Sequence, residues 1–524
     1  MKIITKKYYL FFSLAILLIL ITIVFVIFYK EQSILNHKYP NIVLISVDTL
    51  RADHIHVYGY ERIKTPNIDK LAEDGVLFFN VHSPIPQTNP SHASILTSIY
   101  PFQHKSVANG IPIDKSKRTL TEILQKIGYK TGAFISGYPL HSTISGLQKG
   151  FDVYDDHFFK GRTALRVIDI IIGGLRKIKS KVLFDLCKGC FGRGGRVEKR
   201  VDLLIDWLRR IAWEICFAYD NYFGRERIAE KTTNLALNWL EKVKSNRFFL
   251  WIHYYDPHNP YNPPIPFNKM YDPEYKGTVD GNWDELGEKK RKEILSSEKD
   301  IFHMIALYDG EISYADKYIG VLMNKLEELG LTDKTLVVLT ADHGESLVDH
   351  HYFFDHGAYI YESSIRVPLI FKYPAKLNHK RIFSKVRTID IMPTIFDMLQ
   401  IKNKEPIQGK SLLPLIRNEI VGGDLPIFSQ TYQIDKKINA MVLDKVSIIK
   451  ENWKLIKNKY YLELYDLSSD PEELTNLAMI KKEKTRELSN SLKDYKFQEL
   501  PGKYSLEGID KKSKEILKSL GYFQ

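Results

Sequence analysis

Asn41 to Val47 reads NIVLISV, an unbroken apolar run rich in β-branched residues that stops abruptly at Asp48-Thr49. Such a run, too short for a helix and apolar on both faces, predicts a parallel strand buried on both sides with a carboxylate at its C-terminal tip. In open α/β sheets ligands bind at those tips. The rhythm continues outward from it. Thr65-Pro66-Asn67 opens a helix that runs through Leu71 and Glu73 and stops at Gly75, and residues 76–81 read as the next strand. A helix over 120–127 stops at Gly128, and 130–136 resumes as a strand. FFLWIH (248–253) is again a buried-strand pattern, 305–329 has helical periodicity ended by Gly330, and TLVVLT (335–340) delivers Ala341-Asp342-His343-Gly344-Glu345. Strands alternating with helices predict a doubly wound α/β fold.

The chain has 524 residues, enough for two or three domains, one of them large. Tyr8 to Tyr29 carry no charge and are rich in Ile, Leu, Phe and Val. At about 1.5 Å per residue they reach roughly 33 Å, the span of a bilayer core, and no small-residue cut site follows. Lys2, Lys6 and Lys7 precede this run and only Lys30 follows closely, which predicts a single-pass anchor with the N-terminus cytoplasmic and the rest outside the cytoplasm.

Net charge is +12, and residues 160–231 hold 17 lysines and arginines against 9 acids, so most of the surplus sits there. No nucleic-acid-binding signature accompanies it, and no nucleic-acid partner is expected. The segment reads either as an inserted helical subdomain with a solvated basic face or as an amphipathic surface against anionic lipid. Cys187, Cys190 and Cys216, the only cysteines, fall inside it and cannot form a disulfide framework.

QTNPSHASILT (87–97) sets the Thr88 hydroxyl ahead of Asn89-Pro90 and a helical run from Ser91 to Leu96. Free backbone N–H groups at a helix start attract an anion, so this turn is a candidate phosphate or sulfate site. His253 at the end of its strand, with Asp256 and His258 just after it, forms a second candidate site edge. Asp48, Asp342 and His343 at strand tips, together with Thr88, supply oxygen and imidazole donors that suit zinc, manganese or calcium. A bound ion would make the Thr88 hydroxyl a stronger nucleophile. With no D-x-x-x-H pair for a second ion, one divalent metal ion is expected.

VDTLRADHIHVYGYERIKTPNIDKLAEDGVLF, TNPSHASILTSIYP, TADHGESLVDHHYFFDHGAYIYESSIRVPLIF, RTIDIMPTIFDML, GKSLLPLI and LYDLSSDPEELTNLA follow one another in the order seen in the sulfatase family of the alkaline phosphatase superfamily. The resemblance covers about residues 40–480, apart from the basic segment. It implies a large, mixed, mostly parallel sheet flanked by helices and a smaller C-terminal α/β subdomain. The organisation expected is therefore a cytoplasmic N-terminus (1–7), anchor (8–29), linker (30–39), catalytic domain (40–415) with a basic helical insertion at about 158–231, and C-terminal subdomain and tail (416–524). Position by position it implies metal ligation by Asp48, Asp342 and His343, the nucleophile at Thr88, a polar substrate contact from Asn109, and contact with the ester or its leaving group from His258 and His356.

The chain departs from the family at three places. Sulfatases carry Cys or Ser at the Thr88 position, oxidised to formylglycine, and threonine is not known to undergo that oxidation. His92 replaces the usual Arg and Thr49 the second of two aspartates. His343 stands where many calcium-dependent sulfatases have Asn, which moves the metal preference toward zinc or manganese. These features resemble the threonine-nucleophile branches of the superfamily, the phosphodiesterases and membrane-anchored transferases. The expected activity is hydrolysis or transfer of a phosphorus or sulfate ester on a glycan or lipid, with phosphorus favoured by the threonine. A formylglycine-independent sulfatase, or a non-catalytic module binding sulfated or phosphorylated glycans or lipids, remain as alternatives.

Overall fold

The computed structural model describes residues 39–158 and 226–494 apart from 285, 420–424, 436, 438 and 439, together with Thr22 and positions 504, 505, 513, 514 and 517. The expected anchor and most of the basic segment, with its three cysteines, lie outside the described residues. No helix among the described residues is long and apolar enough to cross a membrane.

The central sheet has eight strands: β1 (Asn41–Val47), β2 (Val76–His82), β3 (Lys130–Phe134), β4 (Val153–Asp155), β5 (Phe248–Tyr254), β6 (Thr335–Ala341), β7 (Arg366–Lys372) and β8 (Lys380–Arg387). Their spatial order is β4-β3-β5-β1-β6-β7-β2-β8. The five pairings β4-β3, β3-β5, β5-β1, β1-β6 and β2-β8 are parallel, and only β7, between β6 and β2, runs against its neighbours. The sheet is therefore mixed and mostly parallel. β1 lies at its middle with every residue buried, as its two-faced apolar pattern requires. Crossover helices flank the sheet: α1 (Pro66–Glu73), α2 (Thr88–Thr97), α3 (Leu120–Lys126), α4 (Ala229–Val243), α5 (Glu298–Glu328) and α6 (Ile391–Met398). One group joins α5 to α4 and α1, another joins α2 to α3 and α6.

α5 starts two turns earlier than its periodicity predicts. The Ser297 side chain accepts the Asp300 N–H and caps the helix. Asp316, midway along α5, accepts the first N–H groups of α1 from Asn67 and Ile68, and its carboxylate belongs to the scaffold rather than to the site.

The C-terminal part builds a second sheet, β9 (Ile427–Asp435), β10 (Ala440–Lys450), β11 (Trp453–Lys457), β12 (Leu462–Asp466) and β13 (Tyr504–Ser505), with α7 (Lys482–Asp494) against it. All its pairings are antiparallel, so this part is an antiparallel sheet with a helix, not a second α/β unit of the doubly wound kind. Short connections explain the difference: hairpin links such as Glu451-Asn452 between β10 and β11 are too short for a parallel crossover.

Candidate active site

Three adjacent strand tips carry the site. Asp48 follows β1, and its N–H continues the ladder to Tyr254 O at 2.8 Å, which fixes its carboxylate just past the sheet edge. Asp342 and His343 follow β6 on one side of β1, and His253 lies on β5 on the other, paired in register with Ser46. All four side chains are fully buried. Thr49, next to Asp48, has a φ of 52°, a strained conformation for a β-branched residue, and is held there by Tyr308, whose hydroxyl donates to Thr49 O at 2.8 Å.

The backbone decides which atoms face the centre. Asp342 Oδ1 accepts the N–H groups of His343 and Thr49, leaving Oδ2 without a hydrogen-bond partner. His343 Nδ1 donates to Gly344 O at 2.8 Å, so Nε2 is the atom left with its lone pair. That nitrogen lies 3.6 Å from Asp48 Oδ1 and 3.5 Å from Asp342 Oδ2. Gly344 is required beside it, since a Cβ there would sit 2.0 Å from Ser363 O.

Thr88 is the first residue of α2, 3.5 Å through Oγ1 from Asp48 Oδ2. Every residue of α2 is buried, and its polar side chains are paired: Ser91 donates to Asp342 O, Ser94 meets His104 Nε2, and Thr97 donates to Ala93 O. Thr88 is thus inside the helix rather than ahead of it. The expected cradle of free amides is mostly taken. Asn89 N–H goes to Asn109 Oδ1 at 2.8 Å, Pro90 has none, and Ser91 N–H goes to Gln87 O. What the arrangement offers an anion instead is the Asn109 side-chain amide nitrogen, buried without an acceptor while its own oxygen is held by Asn89. His92, one turn after Thr88, lies beneath the nucleophile position with Nδ1 on Thr88 O at 2.8 Å.

Burial dominates the electrostatics. It pushes the Asp48 carboxyl up to about 8 and Asp342 well above the carboxylate range, where Asp48 itself adds repulsion. Among the described residues no lysine or arginine pairs with either acid. His343 is held well below the usual imidazole range by burial and then by the charge of His356. Two buried carboxylates and one neutral imidazole, each with an atom lacking a partner, are the donor set of a divalent cation. Their spacings suit one as well: donors at about 2.1 Å from a tetrahedral ion stand roughly 3.4 Å apart, close to the distances above.

His258 and His356 face one another across the opening, rings 4.9 Å apart, with His356 also 4.4 Å from the His343 ring. Their charges differ. Burial alone would lower His356, but Glu345, 3.4 Å from its Nδ1, then Asp355 and Asp48 raise it to about 9, so it is an imidazolium at neutral pH. His258 is held well below the imidazole range by burial and by that neighbouring cation. Asp256, read with His258 as part of a site edge, instead faces Glu311 of α5; burial raises both carboxyls.

These groups open into a cleft of about 480 Å³. It is lined by His258, Glu345 and His356 and by Tyr432, Ile434 and Lys445 of the antiparallel sheet. The structure thus brings Asp48, Thr88, Asp342 and His343 together, with Asn109 beside the start of α2 and His258 and His356 at the mouth. It places His253, read with Asp256 and His258 as a candidate site edge, beside Asp48, and adds His92, which the sequence reading named only as a departure from the family pattern. The signal for His92 is weak but visible: it is one turn from Thr88.

A mostly parallel sheet, buried acids and histidines at its strand tips that could hold an ion, a hydroxyl at a helix start and an open cleft beside them fit an ester hydrolase of the alkaline phosphatase superfamily kind. Residues 40–401 match the family model described as Sulfatase, and 349–500 match the one described as N-sulphoglucosamine sulphohydrolase, C-terminal. The chain belongs to the sulfatase family, as an enzyme of its hydrolase class. It is 27% identical to an arylsulfatase of Clostridium perfringens, covering 88% of this chain and 95% of that one. It is 29% identical to the multifunctional alkaline phosphatase superfamily protein PehA of Trinickia caryophylli, covering 84% and 91%. The fold is similar to that of the phosphonate monoester hydrolase of Agrobacterium radiobacter, with a TM-score of 0.63 at 21% identity over 87% of this chain and 95% of that one.

Proposed function

We propose that this protein cleaves or transfers a phosphorus ester through a covalent intermediate on Thr88, with Asp48, Asp342 and His343 holding one divalent ion, zinc or manganese rather than calcium. One observation carries the reading: at the position where sulfatases oxidise Cys or Ser, this chain places a threonine hydroxyl 3.5 Å from a buried carboxylate of the metal set. A divalent ion bound there lowers the hydroxyl's pKa and draws charge from the oxygens of the attacked ester. Thr88 Oγ1 forms the new bond to phosphorus as the bond to the leaving oxygen breaks, and Asp48 Oδ2 is the nearest acceptor for the hydroxyl proton. The Asn109 amide donates to a non-bridging oxygen. His356, a cation held by Glu345, protonates the departing oxygen, and His258 bounds the leaving-group side. Water or an acceptor hydroxyl then attacks phosphorus and gives its proton to His356 as the bond to Thr88 Oγ1 breaks, and Asp48 returns its proton to the Thr88 oxygen.

The substrate class we favour is a phosphorylated glycan or lipid, presented outside the cytoplasm beside the anchor that residues 8–29 form. The uncharged 22-residue run and the lysines before it support that placement. A reporter fused after residue 524 that proved active only in the cytoplasm would reverse it.

A sulfate ester is the second reading, supported by the family model and by the arylsulfatase relative. Full-length protein supplied with zinc, manganese or calcium and given nitrophenyl phosphate, phosphodiester, phosphonate and sulfate esters separates the two. Phosphorus turnover that disappears in Thr88→Ala is the expected result. Sulfate turnover exceeding that of every phosphorus ester would overturn the choice of phosphorus.

A further inference from the structure

We propose that His92 is a positioning residue for the nucleophile, held as the tautomer with its proton on Nδ1 by a one-way chain of hydrogen bonds that starts at Trp251 and ends on the Thr88 carbonyl. The inference rests on the reading of Thr88 as nucleophile and extends it to the residue that stands where the family pattern has arginine.

The direction of the chain follows from its two ends. The Trp251 indole N–H can only donate, and it reaches Ser46 Oγ at 2.9 Å. Ser46 therefore has its own hydroxyl hydrogen to give, and His92 Nε2, 2.9 Å away, is the only other partner of that oxygen among the described residues. Nε2 accepts it, so the ring proton sits on Nδ1. The opposite end agrees, because Nδ1 lies 2.8 Å from Thr88 O, which can only accept. With the other tautomer two lone pairs would meet at that distance in a site closed to water, since Ser46, Thr88, His92 and Trp251 are all fully buried. A doubly protonated ring would leave the Ser46 hydrogen without an acceptor. Asp342 Oδ2, at 3.7 Å from Nδ1, is too far for a hydrogen bond. With both nitrogens engaged, His92 is not a free metal donor, although it groups with His253 and Asp342.

The chain grips one peptide unit. Thr88 O is held by His92, and the N–H of the same unit, that of Asn89, is held by Asn109 Oδ1 at 2.8 Å. A planar peptide fixed at both edges cannot rotate, so ψ of Thr88 is set and its side chain leaves the backbone in one direction. Oγ1 is thereby kept 3.5 Å from Asp48 Oδ2. The anchor is the central sheet. Ser46 lies on β1 two positions before Asp48, and Trp251 lies on β5, so the nucleophile is registered against the strand that carries the carboxylate it faces. Such a grip acts on the alignment of the attacking oxygen, and so on the rate of the chemical step rather than on the binding of ester or metal.

Two measurements on the full-length protein test this. Nitrogen NMR of histidine-labelled protein, with the His92 signal assigned by its loss in His92→Asn, should show the proton on Nδ1. Turnover of nitrophenyl phosphorus esters separates positioning from packing. His92→Leu, which has no donor, should lower kcat about 100-fold with KM and the metal dissociation constant unchanged. His92→Asn, whose amide N–H stands where Nδ1–H does, should recover about tenfold of that loss. An Nε2–H ring in a wild type that turns over ester would overturn the proposal and leave the Thr88 reading standing, as would a folded His92→Asn that works no better than His92→Leu. A metal-loaded wild type inert toward every ester would remove the Thr88 reading, and the role of His92 with it. Because an Nε2–H ring in the wild type is decisive by itself, variants that fail to fold do not rescue the proposal.

Discussion

Two buried polar clusters of the molecule are built on opposite rules. At the strand tips, Asp48 and Asp342 face neutral imidazoles, and Asp48 Oδ1, Asp342 Oδ2 and His343 Nε2 have no hydrogen-bond partner. Between the two sheets, every charge meets its opposite. Lys454 of β11, fully buried, lies 2.9 Å from Glu362 and 2.8 Å from Glu473, and Glu362 lies 2.9 Å from His82 of β2. Glu473 also accepts the Glu362 N–H at 2.6 Å. The paired cluster fastens the antiparallel sheet to the central one. The unpaired cluster adds no stability by itself, and its incompleteness is what makes it a binding centre.

The largest expected effects fall on activity at the strand tips. Thr88→Ala should reduce turnover about 10³-fold or more while leaving the denaturation midpoint close to that of the wild type. Chelation should abolish turnover and lower stability as well, because an ion held at about 1,000 times its dissociation constant contributes roughly 4 kcal/mol to the folded state. Denaturation curves that coincide with and without chelator would mean that the orphaned donors hold no ion.

The contrast reverses for Lys454→Met. Removing the ammonium strands two carboxylates in a buried site, at a cost of about 3–5 kcal/mol. Turnover per folded molecule should stay within about twofold of the wild type, since no atom of Lys454 reaches the metal cluster or Thr88. A fall in turnover at full folding would show instead that the joint between the sheets shapes the cleft wall around Tyr432 and Lys445.

The sequence made the two clusters unequally legible. β1, α1 and β6 follow from local pattern alone, because each buries its apolar face in a way its spacing declares. The metal trio is harder, since Asp48 and Asp342 are 294 positions apart and only the family resemblance joins them. His253 was legible only as part of a candidate site edge, and its place beside Asp48 required the register with β1 that sets it opposite Ser46. The expected amide cradle at Thr88 failed for a non-local reason: the Asn109 side chain, from a separate loop, takes the Asn89 N–H. The charged cluster of Lys454 was wholly silent, because its four residues come from four separate segments and form no motif.

The smallest predicted effect is the sharpest test of the paired cluster, because its two glutamates titrate in opposite directions. Burial would raise Glu362, but Lys454 and His82 outweigh it and hold its carboxyl below the usual range. Glu473 is raised to about 7, by burial first and by Glu362, against the pull of Lys454. For Glu362, folded pKa below unfolded means that its stabilisation is present above the ordinary glutamate value of 4.5 and is lost as pH falls below it. For Glu473, folded above unfolded means that its contribution is full below 4.5 and is lost as pH rises through 7. Glu362→Gln should therefore cost stability at pH 5 and 8 alike, with the deficit shrinking only as pH falls below 4.5. Glu473→Gln lacks the wild type's loss between pH 5 and 8 and should gain on it over that interval, by on the order of 1 kcal/mol. Denaturation midpoints at pH 3.5, 5 and 8, with metal present throughout, check both. Shifts of the same sign in the two variants would show that the glutamates share the ammonium equally, and the distinction between a donor and an acceptor of stability within the cluster would collapse.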